Sequence, residues 1–148
     1  MALLDVNVLV ALAWPNHLHH GAAHRWFAHQ KSLGWATCPV TQSGFVRVSS
    51  NPTVFPDARQ PAEALALLDR IARVEGHHFW VDDVSLVSAE EFLGLALTGH
   101  RQVTDAHLLC LARRRGGRLA TFDRSVGRLL PAGTPAEQAI ELIPVDRT

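Results

Sequence analysis

The first ten residues, Met1-Ala2-Leu3-Leu4-Asp5-Val6-Asn7-Val8-Leu9-Val10, constrain this chain more than any other stretch. An apolar run stops at a carboxylate, an amide follows two residues later, and the apolar pattern then resumes with helical character. That pattern predicts a short buried strand over Ala2 to Leu4 turning directly into a helix over Val6 to Ala13, which Pro15 closes. Asp5 then stands at the C-terminal edge of a sheet, where open α/β sheets bind their ligands. The remaining segments are judged by whether they bring further acids to that edge.

Four more stretches read as strands: Trp35 to Cys38, His78 to Val81, Arg118 to Phe122 and Ile140 to Ile143. Between them lie helical patterns. His17 to Gln30 carries an apolar stripe of Leu18, Ala22, Trp26 and Phe27, and Val40 to Ser50 buries Phe45, Val46 and Val48. Pro61 opens a helix to about Val74 with Ala64, Leu65, Leu68, Ile71 and Ala72 inward and an Asp69–Arg73 pair outside. Ser88-Ala89-Glu90-Glu91 and Thr134-Pro135-Ala136-Glu137 have the form of capping boxes. Thr104-Asp105 opens a helix that ends in Arg113-Arg114-Arg115 and Gly116-Gly117, and Ser125 to Leu130 gives another helical turn. Strands alternating with helices predict an α/β fold, a mostly parallel five-stranded sheet flanked by helices on both faces. Residues 1–148 are expected to form one domain, with no repeats or low-complexity tracts.

Composition narrows the function classes. Apolar residues make up 47% and charged residues 19%, which excludes a disordered chain, and the formal net charge of zero leaves no overall field to draw nucleic acid. A nucleic-acid role therefore needs a local basic patch. The apolar stretches are too short to cross a bilayer and no signal peptide is visible, so a cytoplasmic protein is expected. Cys38 and Cys110 read as buried free thiols in a reducing compartment. His20 and His24 are four apart on a helix, but no third ligand stands at a defined spacing, so they read as a solvated polar face.

Asp5, Asp105 and Asp123 fall at the ends or starts of elements. Each has a modest reading: a turn residue, a complement to a helix dipole worth about 0.3–1 kcal/mol, an N-cap worth about 1 kcal/mol. Asp5 is the exception, because a carboxylate behind a hydrophobic strand is costly to bury without a compensating cation. Three acids converging on one edge repel one another unless a divalent cation sits among them, and a site of few oxygen ligands suits Mg²⁺ or Mn²⁺.

Leu3-Leu4-Asp5-Val6-Asn7-Val8-Leu9, Thr41-Gln42-Ser43-Gly44-Phe45-Val46-Arg47, Val103-Thr104-Asp105 through Ala112 and Leu119-Ala120-Thr121-Phe122-Asp123-Arg124 together resemble the PIN-domain family, and more narrowly the VapC-type toxins of bacterial toxin–antitoxin pairs. The blocks come in the family's order and cover nearly the whole chain. The resemblance implies a Mg²⁺- or Mn²⁺-dependent ribonuclease, a homodimer, silenced by a VapB-type antitoxin that covers the active-site groove. It implies Asp5, Asp105 and Asp123 as metal-binding and catalytic aspartates, Asn7 as a polar support to the first, and Thr104 and Thr121 as supporting hydroxyls. At Gln42 the chain departs from the glutamate that many members carry, which favours one-metal chemistry or a second ion recruited only with RNA; at Arg124 it departs from an acid that some carry. Asp82, Asp83, Glu90 and Glu91 are the only nearby acids that could compensate.

Arg113, Arg114, Arg115 and Arg118 are the only dense basic cluster, but about ten helical residues at 1.5 Å each separate them from Asp105. Arg47 and Arg124 are the better phosphate ligands. A haloacid-dehalogenase-type phosphatase needs an acid where Asn7 stands, and a receiver domain needs a lysine, of which Lys31 is the only one. No Gly-x-Gly-x-x-Gly follows the first strand. The rival of another class is a PIN-like module that binds RNA or antitoxin with little turnover, because Gln42 replaces an acid.

Overall fold

The computed structural model describes residues 1–146. Five parallel strands, β1 (Ala2–Leu4), β2 (Trp35–Thr37), β3 (His77–Phe79), β4 (Arg118–Thr121) and β5 (Ile140–Leu142), form one sheet in the order β3-β2-β1-β4-β5. Six α-helices surround it: α1 (Val6–Ala13), α2 (His20–Leu33), α3 (Pro39–Ser49), α4 (Pro61–Ala72), α5 (Glu90–Leu93) and α6 (Val103–Arg114).

The period-two alternation of β1 explains why both faces are covered. Ala2 and Leu4 point into a core shared with Val8, Leu9, Trp35, Phe45 and Leu68, on the side of α1 to α4. Leu3 points the other way, among Leu108, Leu109, Leu111 and Leu119, under α5 and α6. Every residue of β1 is fully buried, as the centre of a doubly covered parallel sheet requires. Helices α1 and α3 approach closely because position 44 is glycine: a Cβ there would lie 2.6 Å from Val6 Cγ2. Gly116 takes φ +70°, the left-handed turn that ends α6 and returns the chain into β4.

Several local expectations are corrected. The predicted helix from His17 begins at His20, because His17 N–H bonds Trp14 O and His20 N–H bonds His17 O, closing two tight turns first. Leu18 leaves the apolar stripe and is 83% exposed, and Leu65 of α4 is 56% exposed. Neither predicted capping box forms: Ala89 and Pro135 occupy the N-cap positions without a side-chain cap. A reciprocal cap stands instead at the start of α3, where Thr41 Oγ1 accepts from Cys38 N–H at 2.9 Å. The turn predicted over 125–130 is a 3-10 helix over Arg124–Leu129. Asp69 and Arg73 do pair, at 3.0 Å.

The arginine-rich end of α6 is structural. Arg114 bridges Asp83 at 3.4 Å and Glu91 at 3.1 Å, Arg115 donates to Val81 O, and Arg118 holds Glu141 at 2.7 Å. His107 Nε2 contacts Asp82 Oδ2 at 2.7 Å, off the line of a hydrogen bond. Asp82, Asp83 and Glu91 are thereby spent on fastening the segment after β3 to α6.

Candidate active site

Strand order reverses direction between β1 and β4, so the crevice at their carboxyl ends is the sheet's topological switch point. Asp5 and Asp123 both leave the sheet there. Asp5 stands at the N-cap of α1, where its carbonyl accepts from Val8 and Leu9 N–H and its carboxylate makes no capping bond to the amides of the first turn beyond Val6. The register Leu4↔Ala120 and the bond from Asp5 N–H to Ala120 O instead set that carboxylate against Thr121.

Thr121 joins two of the acids. Its buried hydroxyl donates to Asp5 Oδ2 at 2.9 Å and accepts from Asp123 N–H at 3.1 Å. Asp123 Oδ1 accepts from Ser125 N–H at 2.8 Å, so the N-cap reading of this residue is also correct. That bond engages one oxygen of an otherwise exposed carboxylate.

Asp5 is only 8% exposed, and burial raises its carboxyl pKa against the lowering effect of the Thr121 and Val6 hydrogen bonds, with Asp123 adding repulsion. Asp105, in the first turn of α6, is half-buried, and its pKa is pushed up to about 6, first by burial and then by the charges of Asp5 and Asp123. A residue placed only to complement the helix dipole would shift the other way. The three aspartates therefore feel one another, and among the described residues none of them is in an ion pair. As they stand they are open: among the described residues, no three His, Cys, Asp or Glu side chains are gathered closely enough to hold an ion. The donor set nonetheless fits a hard divalent cation, because carboxylate oxygens with an uncompensated field are what such an ion neutralises.

The other expected site residues are distributed around this centre. Asn7 is exposed and lines a recess with His17, Leu18, His19, Phe122 and Asp123, without a bond to Asp5. Gln42 donates from Nε2 to Thr37 Oγ1 at 3.0 Å, at the end of β2, and lines a separate groove with Arg47 between α3 and α4. Arg124 borders a third recess, on the other side of Asp123. Neither Arg47 nor Arg124 pairs with a carboxylate among the described residues. Thr104 is exposed and is not drawn in.

His20 Nδ1 lies 2.7 Å from Ala11 O and His24 Nε2 lies 2.9 Å from Leu12 O. They cap the last carbonyls of α1 and form neither a metal pair nor a purely solvated face. His19 packs on Phe122 with ring centroids 4.8 Å apart, beside Asp123. The available signal was Pro15, which ends α1 and forces the residues after it into a turn beside that helix.

These acids stand at the switch point of a small parallel α/β sheet, and the PIN domain family model matches residues 2–129. The chain belongs to the PIN-domain family. Within it the chain is of the VapC type. It is 58% identical over 126 residues to ribonuclease VapC38 of Mycobacterium tuberculosis, covering 85% of this chain and 87% of that one. It is 52% identical over 132 residues to ribonuclease VapC39 of the same organism, covering 89% and 95%. The crystal structure of M. tuberculosis VapC20, a sarcin-ricin loop cleaving toxin, superposes with a TM-score of 0.60 at 16% identity, covering 92% of this chain and 98% of that one, which supports the fold.

Proposed function

We infer that this protein is the ribonuclease toxin of a type II toxin–antitoxin pair, hydrolysing RNA phosphodiester bonds at the Asp5–Asp105–Asp123 edge. The observation that carries the reading is the joining of Asp5 and Asp123 by the Thr121 hydroxyl at the switch point, with no ion pair to Asp5, Asp105 or Asp123 among the described residues; burial and the charges of the other two push Asp105 up to about 6. Asp5, Asp105 and Asp123 would hold Mg²⁺ or Mn²⁺. Such an ion, when bound, neutralises charge on a phosphate and acidifies a water.

The chain's own part is orientation. Thr121 fixes the Asp5 carboxylate through Oδ2, and Asp5 so held would be one of the residues to hold the ion. The same hydroxyl receives Asp123 N–H and so sets where the third acid leaves β4. Gln42, neutral and tied to Thr37, takes no proton. Arg47 and Arg124 bind flanking phosphates. Water adds to phosphorus, the P–O3′ bond breaks, and the proton passes to O3′, leaving a 3′-hydroxyl and a 5′-phosphate. Exposed Val81, Val87 and Leu93 offer apolar surface for a homodimer or a VapB-type antitoxin. Among the described residues no helix is long and apolar enough to cross a membrane, and we place the toxin in the cytoplasm as one PIN domain over residues 1–148.

The test is RNA cleavage by purified protein with Mg²⁺ or Mn²⁺ and with EDTA. Cleavage is expected only with the metal, and Asp5→Asn is expected to lower it by at least about 100-fold. Cleavage that survives both EDTA and Asp5→Asn would sink the reading.

A further inference from the structure

We propose that His19 and Phe122 form a nucleobase-stacking subsite that holds one unpaired base of the RNA beside the bond to be cleaved. The inference rests on the ribonuclease reading and extends it to how a single strand is held.

The recess that carries it measures about 420 Å³ and is lined by Asn7, His17, Leu18, His19, Phe122 and Asp123. It therefore shares a wall with the acid centre: Asp123 belongs to both. Phe122 is fixed by its neighbours, since Thr121 is buried in β4 and Asp123 opens the following 3-10 helix. One part of its ring joins the core of the α1 side, and His19 meets it at 4.8 Å with the planes tilted by 37°.

His19 itself is held by the main chain. Its N–H donates to His17 Nδ1 at 3.0 Å, its carbonyl accepts from Ala23 N–H at 2.9 Å, and the imidazoles of His20 and His24 clamp the following turn onto α1. The His19 ring nitrogens make no hydrogen bond among the described residues. An ordered aromatic pair with free polar edges, next to a phosphate-cleaving centre, matches what single-stranded RNA requires. Its unstacked bases are held by stacking on Phe, Tyr, Trp or His, and each such contact is tolerant of sequence. Leu18, exposed at the tip of the same turn, adds an apolar edge on which a ribose or a second base can rest.

A merely structural role predicts something different. If His19 only covered Phe122, its removal would lower stability and leave substrate affinity alone. The experiment compares wild type, His19→Ala, His19→Trp and Phe122→Leu in Mn²⁺-dependent cleavage of short single-stranded oligoribonucleotides of mixed sequence. Binding of the same oligonucleotides carrying one 2-aminopurine is followed by fluorescence in parallel. His19→Ala and Phe122→Leu are expected to raise KM on the order of 5- to 100-fold, with kcat changed less than about threefold. Mn²⁺ affinity should hold, and His19→Trp should keep KM near wild type. Quenching of 2-aminopurine by wild type should be lost in His19→Ala.

An unchanged KM and unchanged quenching in His19→Ala overturn the subsite and leave the recess to a protein partner. Wild type that fails to cleave overturns the ribonuclease reading alone. Quenching that still depends on His19 would then keep the subsite, and quenching that does not would remove it.

Discussion

Replacing Asp105 with asparagine should make the metal-free protein more stable while it disables the site. Asp105 titrates near 3.8 in an unfolded chain and at about 6 in the folded one. Between those values the folded state holds more protons, so the wild type loses stability as pH rises through the window and regains nothing above it. Two pH units at 1.36 kcal/mol each give a ceiling of about 3 kcal/mol. Asp105 is only half-buried, so solvent screening takes a substantial share of that. Losing the charge in the first turn of α6 costs a further 0.3–1 kcal/mol or so of dipole stabilisation. A net gain of about 1–2 kcal/mol remains, a rise of roughly 2–8 °C in Tm for a chain of this size. Thermal melts in EDTA should show the variant and the wild type together near pH 4 and separated near pH 7.5. Saturating Mn²⁺ should then close the gap by raising the wild type alone, by about 2.7 kcal/mol at a hundred times Kd. A gap that is the same at both pH values, or an asparagine variant less stable at pH 7.5, would refute the argument from repulsion and burial.

Thr121→Val keeps the side-chain shape but removes the donor to Asp5 and the acceptor for Asp123 N–H. Mn²⁺ affinity, read by titration calorimetry, should fall about 10- to 100-fold. Gly44→Val drives a Cβ to within 2.6 Å of Val6 Cγ2 and should destabilise by about 1–3 kcal/mol in urea melts, since α1 carries Asp5 at its start. Gln42→Glu still meets the Thr37 hydroxyl, now as acceptor, and should cleave RNA at least as fast as wild type. A loss of turnover there would show that the amide itself is required.

The strands were readable because each is a short apolar run with a hard stop, and Asp5 and Asp123 follow such stops directly. What the sequence hid is the pairing of neighbours. Thr121 and Asp5 are 116 residues apart, and only the adjacency of β1 and β4 makes one hydroxyl the partner of that carboxylate. Gln42 was readable as a departure from an acid, but its attachment to Thr37 depends on where β2 ends. The stretch 17–19 misled because helical spacing counts side chains and not main-chain bonds. Leu18 fits an apolar stripe, yet the carbonyl of Trp14 closes a tight turn just before it and that of His17 closes another around it. His20 and His24, which looked like a polar face, cap α1 instead, and His17 anchors the turn before them through His19 N–H.

Those observations bear on why the site is built as it is. Asp5 breaks the rule that a carboxylate is not buried behind a strand, and Asp105 sits where its charge is disfavoured. Among the described residues neither acid is in an ion pair with an arginine, although the chain has arginines to spare and commits several to the end of α6 and the start of β4. A salt bridge to either acid would stabilise the fold and occupy the oxygens an ion needs. On the proposed function, leaving them unpaired keeps that repulsion available to favour a cation, and the surrounding cores on both faces of the sheet supply the stability that makes this tolerable. The cationic side chains that pair with no carboxylate among the described residues, Arg47 and Arg124, fit the same logic: Arg124 borders a recess that also takes in Asp123, while Arg47 lines a groove between α3 and α4 that holds none of the three aspartates, so neither occupies the oxygens the proposed site needs.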